Sequence, residues 1–142
     1  MSQPNTLFSV AKLDAYANEN RKVYDSHTSP DRNMLQLNTV GNGQFAHFAG
    51  IVAATGEDAD ANRHLFTSLI NGAASRLRID TTQKSTSDTG SNGMTGIVIA
   101  ANHDTANNFW DGDIQEIIVY NSNQSSNFDA IESNINNHYS IF

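Results

Sequence analysis

Cysteine is absent from the 142 residues, which removes disulfide stapling, thiolate catalysis and cysteine-ligated zinc together. Proline occurs only twice, and no apolar run approaches the roughly 20 residues of a membrane-spanning helix. Lysine and arginine are few, eight against fifteen acids, and none stands beyond Lys84. Residues 1–84 hold all eight cations and eight acids, so the whole net charge of −7 lies in residues 85–142. Lacking a basic stripe, the chain cannot neutralise a phosphate backbone, which excludes nucleic acid as a partner. An anionic membrane surface would repel it as well. The opening Met1-Ser2-Gln3-Pro4-Asn5 has neither the basic start nor the apolar core of a secretion leader. The expected location is therefore the cytoplasm, with release by lysis or in an assembled particle.

What is abundant is short and uncharged. Asparagine, serine and threonine supply 43 residues, about 30%, while charged residues make up 16%. Such side chains favour turns and sheet edges over helical surfaces. The length fits a single domain, 1–142, with room for one core.

Alternation places most of the chain in strands between about 6 and 120. Thr6–Leu13 sets Phe8 and Val10 on one face and Leu7 and Ala11 on the other. Arg21–Tyr24 and Met34–Leu37 are shorter candidates. Gln44–Ala53 reads as one strand buried on both faces, and Thr55–Asn62, with Glu57, Asp58 and Asp60, as an exposed loop. His64–Ile70 and Ser75–Asp80 flank Asn71-Gly72, a strong hairpin signal. Met94–Ala100 is a further strand, interrupted at Gly96. Asp113–Tyr120 has the densest β-branched content in the chain. The period then changes. Phe128, Ile131, Ile135 and Tyr139 recur every three or four residues, predicting a helix over about 125–138, with Asn123, Ser125 or Ser126 as its cap. The expected architecture is a β-sandwich with a terminal helix on its rim or a sheet edge.

Phe109-Trp-Asp-Gly-Asp-Ile-Gln-Glu-Ile-Ile-Val-Tyr120, followed by Asn121, Gln124 and the helix through His138-Tyr139, resembles the C-terminal end of the concanavalin A-like, or laminin-G-like, jelly-roll superfamily. Thr6–Lys12, His64–Thr67 with Asn71-Gly72, Leu77–Asp80 and Gly96–Ala100 follow in the order of that family's strands. The resemblance spans roughly residues 5–139 and implies an all-β jelly-roll sandwich in a minimal version with a short C-terminal helix. Members of this kind are longer and have strands ahead of the one that begins at Thr6. The expectation is that a loop or a neighbouring subunit covers the edge of this first strand.

Candidate chemistry is sparse. Glycan cleavage needs two carboxyls about 5–9.5 Å apart. The four glutamates, Glu19, Glu57, Glu116 and Glu132, form no such motif, and Asp113 and Glu116, three apart on a strand, should face opposite ways. No Gly-x-Ser-x-Gly elbow is present. His47, inside an apolar run, reads as a hydrogen-bonded core histidine. For Glu116 the expected partners are Arg76, Arg78 or an arginine of another subunit. The resemblance implies no catalytic residue and no cofactor beyond a rim calcium, for which Asp104, Asp111 and Asp113 supply hard oxygen ligands. A lectin reading would add a rim glycan site at Trp110, Asn108, Asp104 and Asp111, whereas the family pattern favours Phe109 and Trp110 both packing to close the sandwich. Structural roles fall to Phe109 at the rim, Gly112 at a close backbone approach, Ile114, Ile118 and Tyr120 on the last strand, and Phe128, Ile131, Ile135 and Tyr139 on the helix.

The expected function is that of a non-enzymatic structural protein of a virion, a bacteriophage capsid decoration or cement protein. It would act as a homo-oligomer or on a major capsid or other virion protein. The alternative is a lectin-like adhesion module that binds a glycan.

Overall fold

The computed structural model describes residues 1–15, 19–39 and 43–142. Among these, ten strands form two antiparallel sheets: β1 (Asn5–Leu13), β2 (Arg21–Asp25), β3 (Met34–Asn38), β4 (Gln44–Phe48), β5 (Val52–Asp58), β6 (Arg63–Ile70), β7 (Arg76–Ile79), β8 (Thr82–Ser85), β9 (Val98–Ile99) and β10 (Gly112–Tyr120). One sheet runs β10-β1-β6-β7-β8 and the other β5-β4-β3-β2-β9. Helix α1 (Phe128–Tyr139), the one α-helix among the described residues, follows the last strand.

Strand β1 shows how the sequence builds the layers. Leu7, Ala11 and Leu13 enter the core between the sheets, with Leu35, Leu37, Phe45, Phe66 and Leu77. Phe8 and Val10 point the other way, into a second apolar cluster with Leu65, Leu69, Phe128 and Ile135. The strand is thus buried on both faces, one by the opposing sheet and one by the helix. Helix α1 lies across this outer sheet face, not at the rim or edge expected. The reason is that Phe8, Val10, Leu65 and Leu69 present an apolar surface wide enough for the whole Phe128, Ile131, Ile135, Tyr139 stripe. Phe8 meets both Phe128 and Tyr120 edge-on, at centroid distances of 6.1 and 5.9 Å. The helix starts three residues later than its cap candidates suggest. Asn127 stands at the cap position without a side-chain bond to the helix.

Several local readings are revised. Gln44–Ala53 is two strands, β4 and β5. The chain turns at residues 49–51, where Gly50 has φ 114° and the N–H groups of Ala49 and Ile51 both donate to Thr89 O. Residues 55–58 then belong to β5, because an edge strand tolerates outward acids that composition alone assigns to a loop. Met94–Ala100 contracts to the two residues of β9, ended by Ala100 at φ 62°. The Asn71-Gly72 reversal is a longer turn through a short 3-10 segment, clamped by Ser75 Oγ donating to Gly72 O at 2.7 Å. The tight reversal lies instead at Asp80-Thr81, with φ 49° and 67°. These residues take the left-handed conformation without glycine, and Asp80 Oδ1 accepts from Leu65 N–H at 2.9 Å to hold it.

Two further corrections bear on function. Strand β1 is paired on both sides, with β10 and with β6, so its edge is covered within the chain and needs no neighbour. Strand β10 carries a bulge: Val10 pairs with Glu116 and Ala11 with Ile114, which leaves Gln115 extra. The bulge shifts the phase, so Asp113 and Glu116 both follow the helix-side face, opposite Lys12 and Val10, and do not face opposite ways. Ile114 and Ile117 pack on the inter-sheet core, and Ile118 and Tyr120 on the helix side. Arg78 pairs with Asp129 and Glu132 of α1 and not with Glu116.

Candidate groove at the sandwich end

The segment entering β10 organises one end of the sandwich. Asn108 has φ 55°, and its carbonyl accepts from Lys22 N–H at 3.0 Å. Beyond it the extended chain sends consecutive aromatics to opposite sides. Trp110 turns inward: it is 8% exposed, joins the inter-sheet core, and its indole N–H donates to Lys12 O at 3.1 Å. An indole that is buried needs such an acceptor. Phe109 turns outward and is 57% exposed. Phe109 is thus a free platform and not the rim-packing residue expected, while Trp110 takes the packed role that the family pattern favoured and offers no stacking face.

Gly112 follows with φ 147°, and a Cβ there would stand 2.0 Å from Lys12 O. Only glycine lets the two strands approach so closely, as its expected role required.

Phe109 and Trp110 line an open groove of about 630 Å³ with Glu19, Asn20, Arg21, Thr39, Asn108 and Asp111. Arg21 bridges it electrostatically, donating to Asp111 at 2.7 Å and to Glu19 at 3.3 Å. The Asp111 hydrogen bond is the main reason the guanidinium holds its proton more firmly than usual. The groove therefore combines an exposed ring with an amide, a carboxylate and a guanidinium.

A second groove of about 280 Å³ adjoins it through Asn20, on the side of the β5-β4-β3-β2-β9 sheet turned away from the core. Its floor follows from alternation. In Met34–Asn38, Leu35 and Leu37 enter the core and Gln36 points away, and the cross-strand partner of Gln36 is Lys22. A bulge after Lys22 lets both Val23 and Tyr24 join the core while Lys22 stays on the outer face. Lys22 Nζ donates to Gln36 Oε1. Burial pulls the Lys22 pKa down to about 8, with Asp25 opposing that shift and Arg32 adding to it. Arg32, at the wall, is held by the buried Asp25 carboxylate and by Asn102 Oδ1.

The proposed calcium ligands are not brought together. Asp104 caps its own loop, accepting from Ala106 N–H at 3.0 Å, and these bonds hold its carboxyl below the usual range. Asp111 is neutralised by Arg21, and Asp113 sits on β10 opposite Lys12. Among the described residues no group of three or more His, Asp or Glu side chains could hold a metal ion. Asp104 likewise lies outside the Phe109 groove, so of the four predicted glycan contacts three line it, with Trp110 as backing.

Away from this end, a pocket of about 200 Å³ lies between β5 and β8, walled by Glu57, Asp58, Asp60, His64, Asp80 and Lys84. Its charges are largely paired. Lys84 meets Glu57 at 2.6 Å, and the His64 ring bonds Asp80 through Nδ1 at 2.6 Å and Asp60 through Nε2 at 2.8 Å. Burial works against the charged ring, but the two carboxylates outweigh it and raise the His64 pKa. His47 is buried in the core, its Nδ1 3.0 Å from Ser68 Oγ, as its apolar setting implied.

The grooves at the sandwich end missed by sequence reasoning include Asn20, Arg21, Lys22 and Gln36. The available signal was polar residues alternating with core residues in Arg21–Asp25 and Met34–Asn38, which marks an outer face but not what gathers there.

These features define a class: an all-β jelly-roll sandwich with one short C-terminal helix and a polar groove with an exposed aromatic at one end. Among solved structures the chain is similar to domain 4 of AbnA, a GH43 extracellular arabinanase from Geobacillus stearothermophilus, in complex with arabinotriose. The TM-score is 0.63 at 13% identity, over 84% of this chain and 61% of that one, a likeness of fold. This chain thus spans less than two thirds of that neighbour's length. No family model matches the chain, and no curated protein does.

Proposed function

We propose that the protein is a non-catalytic carbohydrate-binding module of the concanavalin A-like, laminin-G-like kind, taking a glycan in the groove at Phe109. The observation that carries this reading is the 57% exposed Phe109 ring beside Asn108 and the Arg21–Asp111 pair. A flat ring face suits the C–H face of a sugar. Amide, carboxylate and guanidinium groups beside it supply donors and acceptors for hydroxyls. The similar arabinanase domain, solved with a trisaccharide, adds support from fold analogy. Covering the exposed ring is worth about 1–1.5 kcal/mol, half to most of a fully buried side chain, or about tenfold in Kd. The test is a glycan array followed by calorimetry with wild type and Phe109→Ala. Retention of a glycan with about tenfold weaker binding by the variant is expected. Equal binding by the variant, or no glycan retained at all, sinks the reading.

A second reading, a virion decoration or cement protein acting as a homo-oligomer or on a capsid protein, draws on a separate apolar patch. Ile97, Ile99 and Val119 are exposed where β9 and β10 end the two sheets, and Ile97 and Val119 line a groove with Met1 and Met94. Such an apolar flank suits burial against protein. Sedimentation velocity should then show an oligomer that Val119→Lys dissociates. A monomer at all concentrations would count against homo-oligomer formation.

A further inference from the structure

We propose that the glycan is acidic, and that the groove on the outer sheet face seats one carboxylated sugar with its carboxylate on Lys22. This rests on the glycan-binding reading above and names the substrate class of the same site.

The cations of this protein are not all balanced. Arg21, Arg32, Arg78 and Lys84 each meet a carboxylate. Lys22 is the one lysine or arginine that is buried, at 5% exposure, and among the described residues it forms no ion pair. Its one hydrogen-bond partner there is the neutral amide oxygen of Gln36. An ammonium has three donors, and Asp25, the carboxylate that favours its charge, is already paired with Arg32, so the buried cation lacks an ion-pair partner of its own, which is costly. The position is therefore tuned for a visiting anion, not for packing alone.

Lys22 lies in a groove that is also lined by Gln36, Asn38 and Phe48, and that groove meets the Phe109 groove at Asn20. The Lys22 backbone N–H is itself bonded to Asn108, next to Phe109. One oligosaccharide can thus lie with one ring on Phe109 and a neighbouring unit over Lys22. A single buried ammonium fits a carboxylate at one position. The surrounding net charge of −7 disfavours a dense polyanion.

Titration supplies an independent handle. The groups facing Lys22 are Asp25 on its own strand, which favours its charge, and Arg32, which opposes it. The residues contributed by β3, β4 and β5, namely Met34, Gln36, Asn38, Phe48 and Val52, do not titrate. With its pKa near 8, Lys22 is charged at neutral pH and neutral well above that value.

The test uses the full chain on an array of neutral, uronate-containing and sulfated oligosaccharides. Calorimetry of the best uronate hit and its methyl ester at pH 7 follows. The acid should bind about tenfold to a hundredfold tighter than its ester, the range of a charged hydrogen bond. Lys22→Met should bind both alike, whereas Phe109→Ala should weaken both by the same factor. The preference of the wild-type protein should also vanish as pH rises from 7 to well past 8, which needs no variant to fold. Neutral or sulfated hits alone, or an acid preference indifferent to Lys22→Met and to pH, overturn this inference and leave glycan binding standing. If no array member binds, both readings fail.

Discussion

The link between helix α1 and the sheet offers the sharpest energetic test. Glu132 is fully buried under the helix, its Oε1 accepting from Thr67 Oγ1 at 2.6 Å and its Oε2 3.0 Å from Arg78 Nη2. Arg78 also caps Thr81 O and lies 5.4 Å above the Phe128 ring. Replacing Arg78 by Met leaves a buried carboxylate with the threonine alone. Breaking a buried pair from one side costs about 3–5 kcal/mol. The lower end applies here, because the Thr67 bond survives. Loss of the cation over Phe128 adds about 0.5 kcal/mol. The expected total of about 3–4 kcal/mol corresponds to a fall of about 10 °C in Tm for a domain of this size. Replacing both residues, Arg78→Met with Glu132→Met, removes the stranded charge and should restore about 2 kcal/mol relative to the sum of the single changes. Burial raises the Glu132 pKa, against the lowering effects of Thr67 and Arg78. In Arg78→Met the carboxyl takes up a proton more readily, so the deficit should shrink as pH falls into the carboxylate range. Urea titrations of the four proteins at pH 8 and pH 5 measure each quantity. A single-variant cost under about 0.5 kcal/mol, or strictly additive costs, would refute the view that this pair locks the helix down.

Three further outcomes follow from the structure. His64 has a raised pKa between Asp60 and Asp80, so its stabilisation is complete below about pH 6.5 and fades as pH rises through the folded value; Tm of wild type should fall over that window, and His64→Gln should flatten the slope. Burial holds His47 neutral, with a pKa of about 3, so stability should be lost as pH falls from about 6.5 toward 3. His47→Leu should lessen that acid loss in thermal scans, and an unchanged acid limb would count against it. Gly112→Ala forces a Cβ onto Lys12 O in a left-handed conformation and should cost about 3 kcal/mol in urea denaturation.

Much of the strand plan is legible because alternation reports burial directly. Leu7, Phe8, Val10 and Ala11 of β1, and Leu77 and Ile79 against Arg76 and Arg78 of β7, lie where period two puts them. Errors gathered where short residues break or hide that period. The turn at Gly50 sits inside an apolar run that reads as continuous, and the acids of β5 imitate a loop. The bulge at Gln115 reversed the apparent faces of Asp113 and Glu116, since one extra residue shifts every later side chain.

By itself the sequence determined the class of the fold. A cysteine-free chain, poor in charge and rich in asparagine, serine and threonine, with short alternating runs and one helical period at its end, reaches a stable core as a β-sandwich with a terminal helix. It also placed Gly112 and the helix stripe, because both are local requirements of backbone and period. Tertiary structure alone decided the candidate site. Which of two adjacent aromatics faces water depends on where Lys12 O waits for the Trp110 indole, on a strand nearly a hundred residues away. That Lys22 meets Gln36 and no carboxylate depends on the pairing of β2 with β3 and on Asp25 being claimed by Arg32. Periodicity records whether a side chain is inside or outside, whereas charge partners and grooves arise only when strands distant in sequence are brought side by side.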